Sequence, residues 1–137
     1  MSVPSRIDMT ASCACGSVEL ATIGAPIVSN VCYCCDCQQG SRQIEALPNA
    51  GPVRDPDGGT AYILYRRDRI ECSKGASLLK SYKIRESSVT NRVVATCCSS
   101  AMFMNFDKSP THWYVNPSAI YSAIGSAGPI APLHYRF

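Results

Sequence analysis

The chain has 137 residues, nine of them cysteine, and a formal net charge of +3. This length suits one domain with a modest core, and the low content of charged residues argues against a disordered chain. So small a positive charge gives no basic stripe of the kind that nucleic-acid-binding proteins present, which excludes a nucleic acid as the expected partner.

The N-terminal segment carries no signal for secretion. Residues 1–10, MSVPSRIDMT, lack an apolar run and are predicted to be a flexible leader. Elsewhere no apolar stretch approaches the roughly 20 residues that a membrane-spanning helix needs. We therefore expect a soluble, cytoplasmic protein without a membrane partner, in which residues 11–137 form a single domain.

Short β-like segments follow one another along the chain. They are rich in Val, Ile, Tyr and Phe and are separated by Gly, Pro, Ser and Asp, a pattern typical of strands joined by turns. The predicted strands are residues 17–23, 27–32, 60–65, 69–72, 79–84, 90–96, 101–106 and 113–115. The sequence thus predicts a mainly β fold of several small antiparallel sheets.

The sequence contains no convincing long amphipathic helix. The best short candidates are the turn after Cys37 and residues 117–123. Residues 40–60, GSRQIEALPNAGPVRDPDGGT, hold three prolines and many turn formers, so they predict a long loop. Because long loops in compact domains often have a function, this loop is of interest as the bridge from a cysteine-rich segment to the next strand.

Four of the nine cysteines lie within residues 32–37, CYCCDC. In a reducing cytosol, such clustering indicates metal ligands or redox groups rather than structural disulfides. An extended Cys-x-Cys pair directs both side chains to one side, and a following Cys-x-x-Cys turn brings a third sulfur to the same point. Cys32, Cys34 and Cys37 can therefore converge on one zinc ion, with the fourth position left for water or substrate, as in catalytic sites.

A second group combines cysteines from both ends of the chain. Cys13 and Cys15 form another Cys-x-Cys pair, whereas Cys97 and Cys98 are adjacent. If their two strands lie side by side, the four sulfurs form a closed, structural zinc site. Neighbours on a strand point to opposite faces, so binding by both Cys97 and Cys98 requires a bend, and Cys98 is the safer ligand.

The remaining cysteines are predicted not to bind metal. Cys35 is interpreted as a thiol beside the metal site or a redox partner, and Cys72 as a core residue at the end of a strand. Trp113 is expected in a core or rim strand, and His134 is expected on the surface.

Three cysteine motifs and the segment that links them resemble one protein family. The matching stretches are CACGSVEL, CYCCDCQQGS and ATCCSSAMF, linked by YRRDRIECSKGASLLKSYKI. Taken in this order, they resemble the glutathione-dependent formaldehyde-activating enzyme family, which also includes centromere protein V. The resemblance covers about residues 11–116.

The resemblance implies a mainly β domain with two zinc sites, and a carbon–sulfur lyase that condenses formaldehyde with glutathione to S-hydroxymethylglutathione. Carried over by position, the structural ligands are Cys13, Cys15 and Cys98, and the catalytic set is Cys32, Cys34 and Cys37.

The chain departs from the family pattern at three positions. Tyr33 stands where the family usually has histidine, and Ala95 stands at the first cysteine of a late Cys-x-x-Cys-Gly motif. Ser99 replaces the glycine of that motif, and Cys97 is the candidate for the missing ligand.

We therefore expect one or two zinc ions, and a thiol such as glutathione and an aldehyde as substrates. Tyr33, Arg66 and Arg67 are candidate substrate contacts, with Arg69 and Lys74 as further partners for the carboxylates of glutathione. The alternative to substrate binding is that the basic residues lie on a solvated surface of strands and turns. For Tyr33, the alternative is that its side chain packs against the protein.

Two other functions remain open at the level of sequence. In the first, both metal sites are structural and only stabilise the fold of a non-catalytic binding module. In the second, Cys34, Cys35 and Cys37 sense oxidants, and metal release accompanies their oxidation.

Overall fold

The computed structural model describes residues 8–117 and 120–123. In chain order, the elements are β1 (Met9–Ser12), β2 (Glu19–Thr22), β3 (Val28–Cys32), α1 (Cys35–Glu45), β4 (Thr60–Arg66), β5 (Ile70–Lys74), β6 (Leu79–Tyr82), β7 (Thr90–Ala95), β8 (Ser100–Phe106), β9 (Ser109–Val115) and β10 (Ile120–Ala123). The mainly β class predicted from the sequence is confirmed, and each predicted strand overlaps an observed one. Among the described residues, no helix has the length and apolar character needed to cross a membrane.

The strands form two antiparallel sheets. One sheet has four strands in the order β10-β1-β2-β5, and the other has six in the order β3-β4-β9-β8-β7-β6. In the larger sheet, β3 is an edge strand that pairs only with β4, with Cys32 opposite Thr60. The C-terminal end of β3 therefore lies at a sheet edge, next to the start of α1.

The main core lies between the two sheets. Leu20 of the small sheet and Ile63, Tyr65 and Met102 of the large sheet are almost fully buried and belong to one apolar cluster. The opposite face of the large sheet packs against α1, where Ile44 contacts a second cluster of buried residues. The large sheet is therefore covered on both faces, and the side chains that point toward α1 are removed from solvent.

A short helix was predicted after Cys37, but α1 is longer than that turn, and the predicted loop at residues 40–60 is wrong over its first six residues. The helix runs from Cys35 to Glu45. Its buried positions are Cys37, Gly40, Ser41 and Ile44, which have the i, i+3, i+4, i+7 spacing of one helical face. Small and sulfur-containing residues occupy most of that face, so the sequence lacks the leucine-rich stripe by which an amphipathic helix is recognised.

Two further predictions need correction at the ends of the domain. The leader was predicted to extend to residue 10, but β1 begins at Met9 and pairs with β2, with Met9 opposite Thr22. The short helix predicted for residues 117–123 is wrong at its end, because Ile120–Ala123 forms β10 on the other side of β1. Pairing between distant segments decides both cases, and a local reading of the sequence does not detect it.

Candidate metal centres

Four cysteines from opposite ends of the chain meet in one cluster, called here the four-sulfur cluster: Cys13, Cys15, Cys97 and Cys98. Their Sγ atoms all lie within 4.8 Å of one another. Cys13 Sγ is 3.7 Å from both Cys15 Sγ and Cys97 Sγ, and Cys97 Sγ is 3.9 Å from Cys98 Sγ. The cluster joins the turn after β1 to the turn between β7 and β8, and so connects the two sheets.

Local turn geometry explains why both Cys97 and Cys98 reach the cluster. Strand β7 ends at Ala95, and the next four residues form a turn that leads into β8. The alternation of a strand therefore does not apply, and the preference for Cys98 alone is corrected. Ser99 adopts a left-handed backbone with φ 55°, a conformation that glycine favours.

Hydrogen-bond donors surround the four-sulfur cluster, but its thiols differ in acidity, because burial and the neighbouring sulfurs raise the pKa of Cys97 to about 12. Cys13 is fully buried, and its Sγ accepts a hydrogen bond from the Val18 N–H at 3.2 Å. The Ser17 hydroxyl lies 3.3 Å from Cys15 Sγ, and hydrogen bonds from the side chain and backbone of Ser17 lower the pKa of Cys15 to about 6. The Ser100 hydroxyl lies 3.0 Å from Cys98 Sγ. These donors stabilise negative charge on sulfur.

The dimensions of the cluster fit a zinc ion. Sulfurs placed tetrahedrally about 2.3 Å from zinc lie about 3.8 Å from one another. The separations of 3.7 and 3.9 Å are close to this value and far longer than a disulfide bond of about 2.05 Å. All nine cysteines are free thiols. A donor set made only of thiols suits zinc among the common divalent ions.

Three cysteines form a second group, called here the three-sulfur cluster: Cys32, Cys34 and Cys37. Cys32 ends β3, Cys34 caps the N-terminus of α1, and Cys37 lies in the first turn of the helix. Cys32 Sγ is 3.3 Å from Cys34 Sγ, and Cys34 Sγ accepts a hydrogen bond from the Cys37 N–H at 3.3 Å. The strand end and the helix start thus bring the three sulfurs together, and the helix N-terminus favours their negative charge.

Cys34 and Cys37 differ in how readily they ionise. The hydrogen bond from the Cys37 backbone N–H lowers the pKa of Cys34. Burial, together with the neighbouring sulfurs of Cys32 and Cys34, raises the pKa of Cys37 to about 12 even though the charge of Arg92 lowers it. Cys37 therefore needs a further positive charge before it loses its proton at neutral pH, and a divalent ion between the sulfurs would supply that charge.

The three-sulfur cluster opens onto a cleft of about 300 Å³. Besides the cysteines and Asp36, the cleft is lined by Asn30, Tyr62, Thr90, Arg92, Met104, Phe106 and Tyr114. Tyr114 meets Tyr62 and Phe106 edge to face, with ring centroids 6.2 and 5.6 Å apart. The cleft is therefore large enough for a small molecule and has a mostly aromatic wall beside the sulfurs.

Arg92 and Tyr62 are the two residues of this site that sequence reasoning missed. Arg92 is 5% exposed and Tyr62 is 3% exposed. Arg92 Nη1 donates a hydrogen bond to Tyr62 Oη at 3.1 Å, and Arg92 Nη2 donates one to the backbone carbonyl of Asp36 at 3.2 Å. The available signal was a charged residue directly before the apolar run VVA, in a segment predicted to be a strand.

Comparisons with known proteins add a likeness of fold. No family model matches the chain, and a search of curated proteins also found no match. Among solved structures, the chain is similar to a crystal structure of a Rhodobacter sphaeroides protein, a target of Northeast Structural Genomics. The TM-score is 0.54 and the identity 17%, over 80% of this chain and 85% of the other. At this identity the likeness shows the fold alone.

The structure places Tyr33 outside the cleft. Its side chain is 49% exposed, and its hydroxyl donates a hydrogen bond to Asp57 Oδ2 at 2.6 Å. Cys35 is exposed and belongs to neither cluster, as expected for a non-ligand. Cys72 is half-buried on β5 and packs against the main core.

The basic residues proposed as substrate contacts also lie apart from the cleft. Arg66 pairs with Asp68 at 2.7 Å, and both side chains are more than half exposed. Arg67 Nη1 donates to the Ile70 carbonyl at 2.6 Å, and its guanidinium lies 4.2 Å from the centre of the Trp113 ring. Neither arginine lines the cleft. His134 lies outside the described residues.

Proposed function

We propose that the chain is a zinc-dependent enzyme of the carbon–sulfur lyase type, which condenses formaldehyde or a related aldehyde with a thiol such as glutathione. The observation that carries this proposal is the cleft at the three-sulfur cluster. Cys32, Cys34 and Cys37 provide three ligands beside a space that fits a small molecule. Three protein ligands and an accessible fourth position are typical of catalytic zinc, whereas four sulfurs are typical of structural zinc.

The ligand set defines what a bound ion contributes. A zinc ion held by Cys32, Cys34 and Cys37 would supply a Lewis-acidic position next to the cleft and lower the pKa of a substrate thiol there. In the overall reaction, a carbon–sulfur bond forms between the thiol and the aldehyde carbon. The thiol proton ends on the former carbonyl oxygen, so no oxidant or reductant is needed.

Tyr62 is suited to assist this addition. Burial raises the pKa of its phenol, which therefore stays protonated at neutral pH. Tyr62 Oη already accepts a hydrogen bond from Arg92, so its own O–H remains available to donate to a carbonyl oxygen in the cleft. Together with Phe106 and Tyr114, Tyr62 forms an aromatic wall along which the aldehyde would lie.

The test compares two neighbouring cysteines. In Cys34→Ser, we expect the loss of one zinc ion per chain and of thiol-dependent formaldehyde consumption, with the circular dichroism spectrum unchanged. Cys35→Ser is the matched control, because Cys35 is exposed and belongs to neither cluster; it should keep both zinc and activity. Equal activity of Cys34→Ser and the wild type would refute the proposed function.

A redox-sensing role is the second candidate, and one observation favours it. Cys34 and Cys35 are both exposed at the start of α1, and Cys34 Sγ lies 3.3 Å from Cys32 Sγ. Hydrogen peroxide would convert two of these thiols to a disulfide and be reduced to two molecules of water. Zinc release with disulfide formation at low peroxide, in a protein inactive toward thiol and aldehyde, would favour this candidate.

A further inference from the structure

Arg92 is a buried cation without a carboxylate partner. Among the residues that the structure describes, none of the ion pairs includes Arg92. Its two hydrogen-bond acceptors, Tyr62 Oη and the Asp36 carbonyl, are neutral, and its Nε atom is buried without a hydrogen-bond partner. An uncompensated charge in the protein interior is strongly destabilising, so a negative group is expected nearby.

The closest candidates for that negative group are sulfurs. Cys37 lines the cleft beside Arg92, and its sulfur interacts electrostatically with the Arg92 guanidinium. Arg92 and all three sulfurs of the cluster line the same cleft. The Asp36 carboxylate also faces this region, but it is 60% exposed and lies 3.7 Å from Arg85 on the surface, where solvent screens its charge.

Counting charges shows how the guanidinium and the cluster complement each other. Three thiolates around a divalent ion leave one excess negative charge. One guanidinium beside them brings the sum to zero, which removes the cost of burying either charge alone. Charged groups just outside the ligand shell commonly tune metal affinity in this way.

We propose that Arg92 is the counter-ion of the three-sulfur centre, a positioning residue whose buried positive charge balances the centre formed by Cys32, Cys34 and Cys37 around a divalent ion. This inference rests on the metal centre of the proposed function, but not on the reaction. It assigns to Arg92 the stabilisation of the metal-bound thiolates.

Gly40 provides the space that this arrangement needs. A Cβ atom at position 40 would lie 2.2 Å from Arg92 Nε and 2.6 Å from Arg92 Cζ. Glycine is unfavourable within a helix, yet Gly40 lies in the middle of α1. The close approach of the guanidinium to the helix backbone explains this residue, and it offers a way to move the charge without removing it.

The test measures zinc affinity at each cluster in the zinc-loaded protein by competition with chelators of graded strength. Three variants are compared with the wild type: Arg92→Met removes the charge at similar volume, Arg92→Lys keeps the charge, and Gly40→Ala displaces the guanidinium. We expect Arg92→Met and Gly40→Ala to weaken binding at the three-sulfur cluster by about 10- to 100-fold, and Arg92→Lys by about threefold or less. The same substitutions in a Cys34→Ser background report on the four-sulfur cluster, whose affinity should not change.

Several results would overturn the inference. Wild-type affinity of the three-sulfur cluster in Arg92→Met, an equal loss at both clusters, or equal losses in Arg92→Met and Arg92→Lys would each show that the charge is not the cause. If Arg92→Met does not fold, the zinc affinity of Gly40→Ala tests the inference instead. An unchanged affinity of the three-sulfur cluster in that variant contradicts the inference. Absence of zinc from the three-sulfur cluster of the wild type would refute the proposed function as well, whereas tight binding in every variant would refute the counter-ion alone.

Discussion

The two cysteine clusters use the same ligand atom in different surroundings. The four-sulfur cluster joins turns that belong to different sheets, and Cys13 within it is fully buried. The three-sulfur cluster lies between the end of β3 and the start of α1, two elements that follow each other in the chain, and it faces a cleft of about 300 Å³. A metal ion in the first cluster would hold distant parts of the chain together, whereas one in the second would face a cleft.

This difference predicts that the four-sulfur cluster supports the stability of the fold and the three-sulfur cluster supports function. Single substitutions can test this division. Cys13 and Cys97 are 84 residues apart in the chain, so an ion between them closes a long loop. Cys32 and Cys37 are close in sequence, and their elements are also held by strand pairing and by the packing of α1. Removing a ligand should therefore unfold the protein in the first case and leave it folded in the second.

The largest expected effect is that of Cys13→Ser. Because the binding free energy of a structural zinc ion contributes to folding, on the order of 10 kcal/mol, loss of one ligand should abolish the cooperative unfolding transition. Thermal unfolding followed by circular dichroism measures this, with Cys72→Ser as a control for loss of a thiol outside both clusters. A wild-type transition in Cys13→Ser would show that the four-sulfur cluster does not hold the fold.

The next effect concerns the three-sulfur cluster and leaves the fold intact. Tyr62→Phe removes the hydroxyl that lines the cleft and accepts a hydrogen bond from Arg92. We expect kcat for thiol-dependent aldehyde consumption to fall about 100-fold, the effect typical of losing one hydrogen-bond donor to a developing oxyanion. Zinc content should not change. A kcat within twofold of the wild type would exclude Tyr62 from the reaction.

A smaller effect on stability is expected at the C-terminal end of α1. There the helix is held by hydrogen bonds and an ion pair of the Glu45 carboxylate, and not by a metal ion. Glu45 accepts hydrogen bonds from the Val53 and Arg54 N–H groups at 2.9 Å and pairs with the Arg54 guanidinium at 2.8 Å. Glu45→Gln should reduce the free energy of unfolding at pH 7 by about 1–2 kcal/mol, without change in zinc content. Denaturant unfolding measures this, and loss of zinc in the variant would contradict it.

The same contact has a defined pH dependence. Burial raises the pKa of Glu45, but the hydrogen bonds and charge of Arg54 outweigh burial, and the pKa of the folded state lies below the ordinary 4.5. The stabilisation is therefore fully present above the ordinary value and is lost as the pH falls through the lowered one. The difference in stability between Glu45→Gln and the wild type should shrink over that acidic range; an unchanged difference would rule out the carboxylate as its source.

The smallest expected effect is that of Tyr33→Phe. Tyr33 is next to two ligands in the sequence, but its hydroxyl bonds to Asp57 and it does not line the cleft. We expect kcat to stay within twofold of the wild type and the free energy of unfolding to fall by at most about 1 kcal/mol. A loss of kcat as large as that of Tyr62→Phe would show that the site extends to Tyr33.

The sequence was sufficient to predict features that depend on residues close together in the chain or on a repeated pattern. The spacing of Cys32, Cys34 and Cys37 identified the three-sulfur cluster, and turn residues between short apolar segments identified most strands. The contact between Cys13 and Cys97 was predicted only on the condition that their two strands lie side by side. Local spacing could not decide this, because it does not encode the pairing of distant segments.

Arg92 shows why the rest of the site was missed. A single arginine in a strand is usually a solvated edge residue, and its contacts with Tyr62, Asp36 and Gly40 come from three other parts of the chain. Only the register of the large sheet and the packing of α1 bring these residues together. The small residues on the buried face of α1 concealed its length beyond the short helix predicted after Cys37, so the contact of this face with Arg92 was not predicted.

The central claim is that two metal-bound sulfur clusters have separate roles. Elemental analysis of the protein, purified without exposure to chelator, tests it most directly when the wild type and Cys34→Ser are measured together. We predict two zinc ions per wild-type chain, and one in a Cys34→Ser chain that remains folded. A wild-type protein that is folded and free of metal would contradict the account.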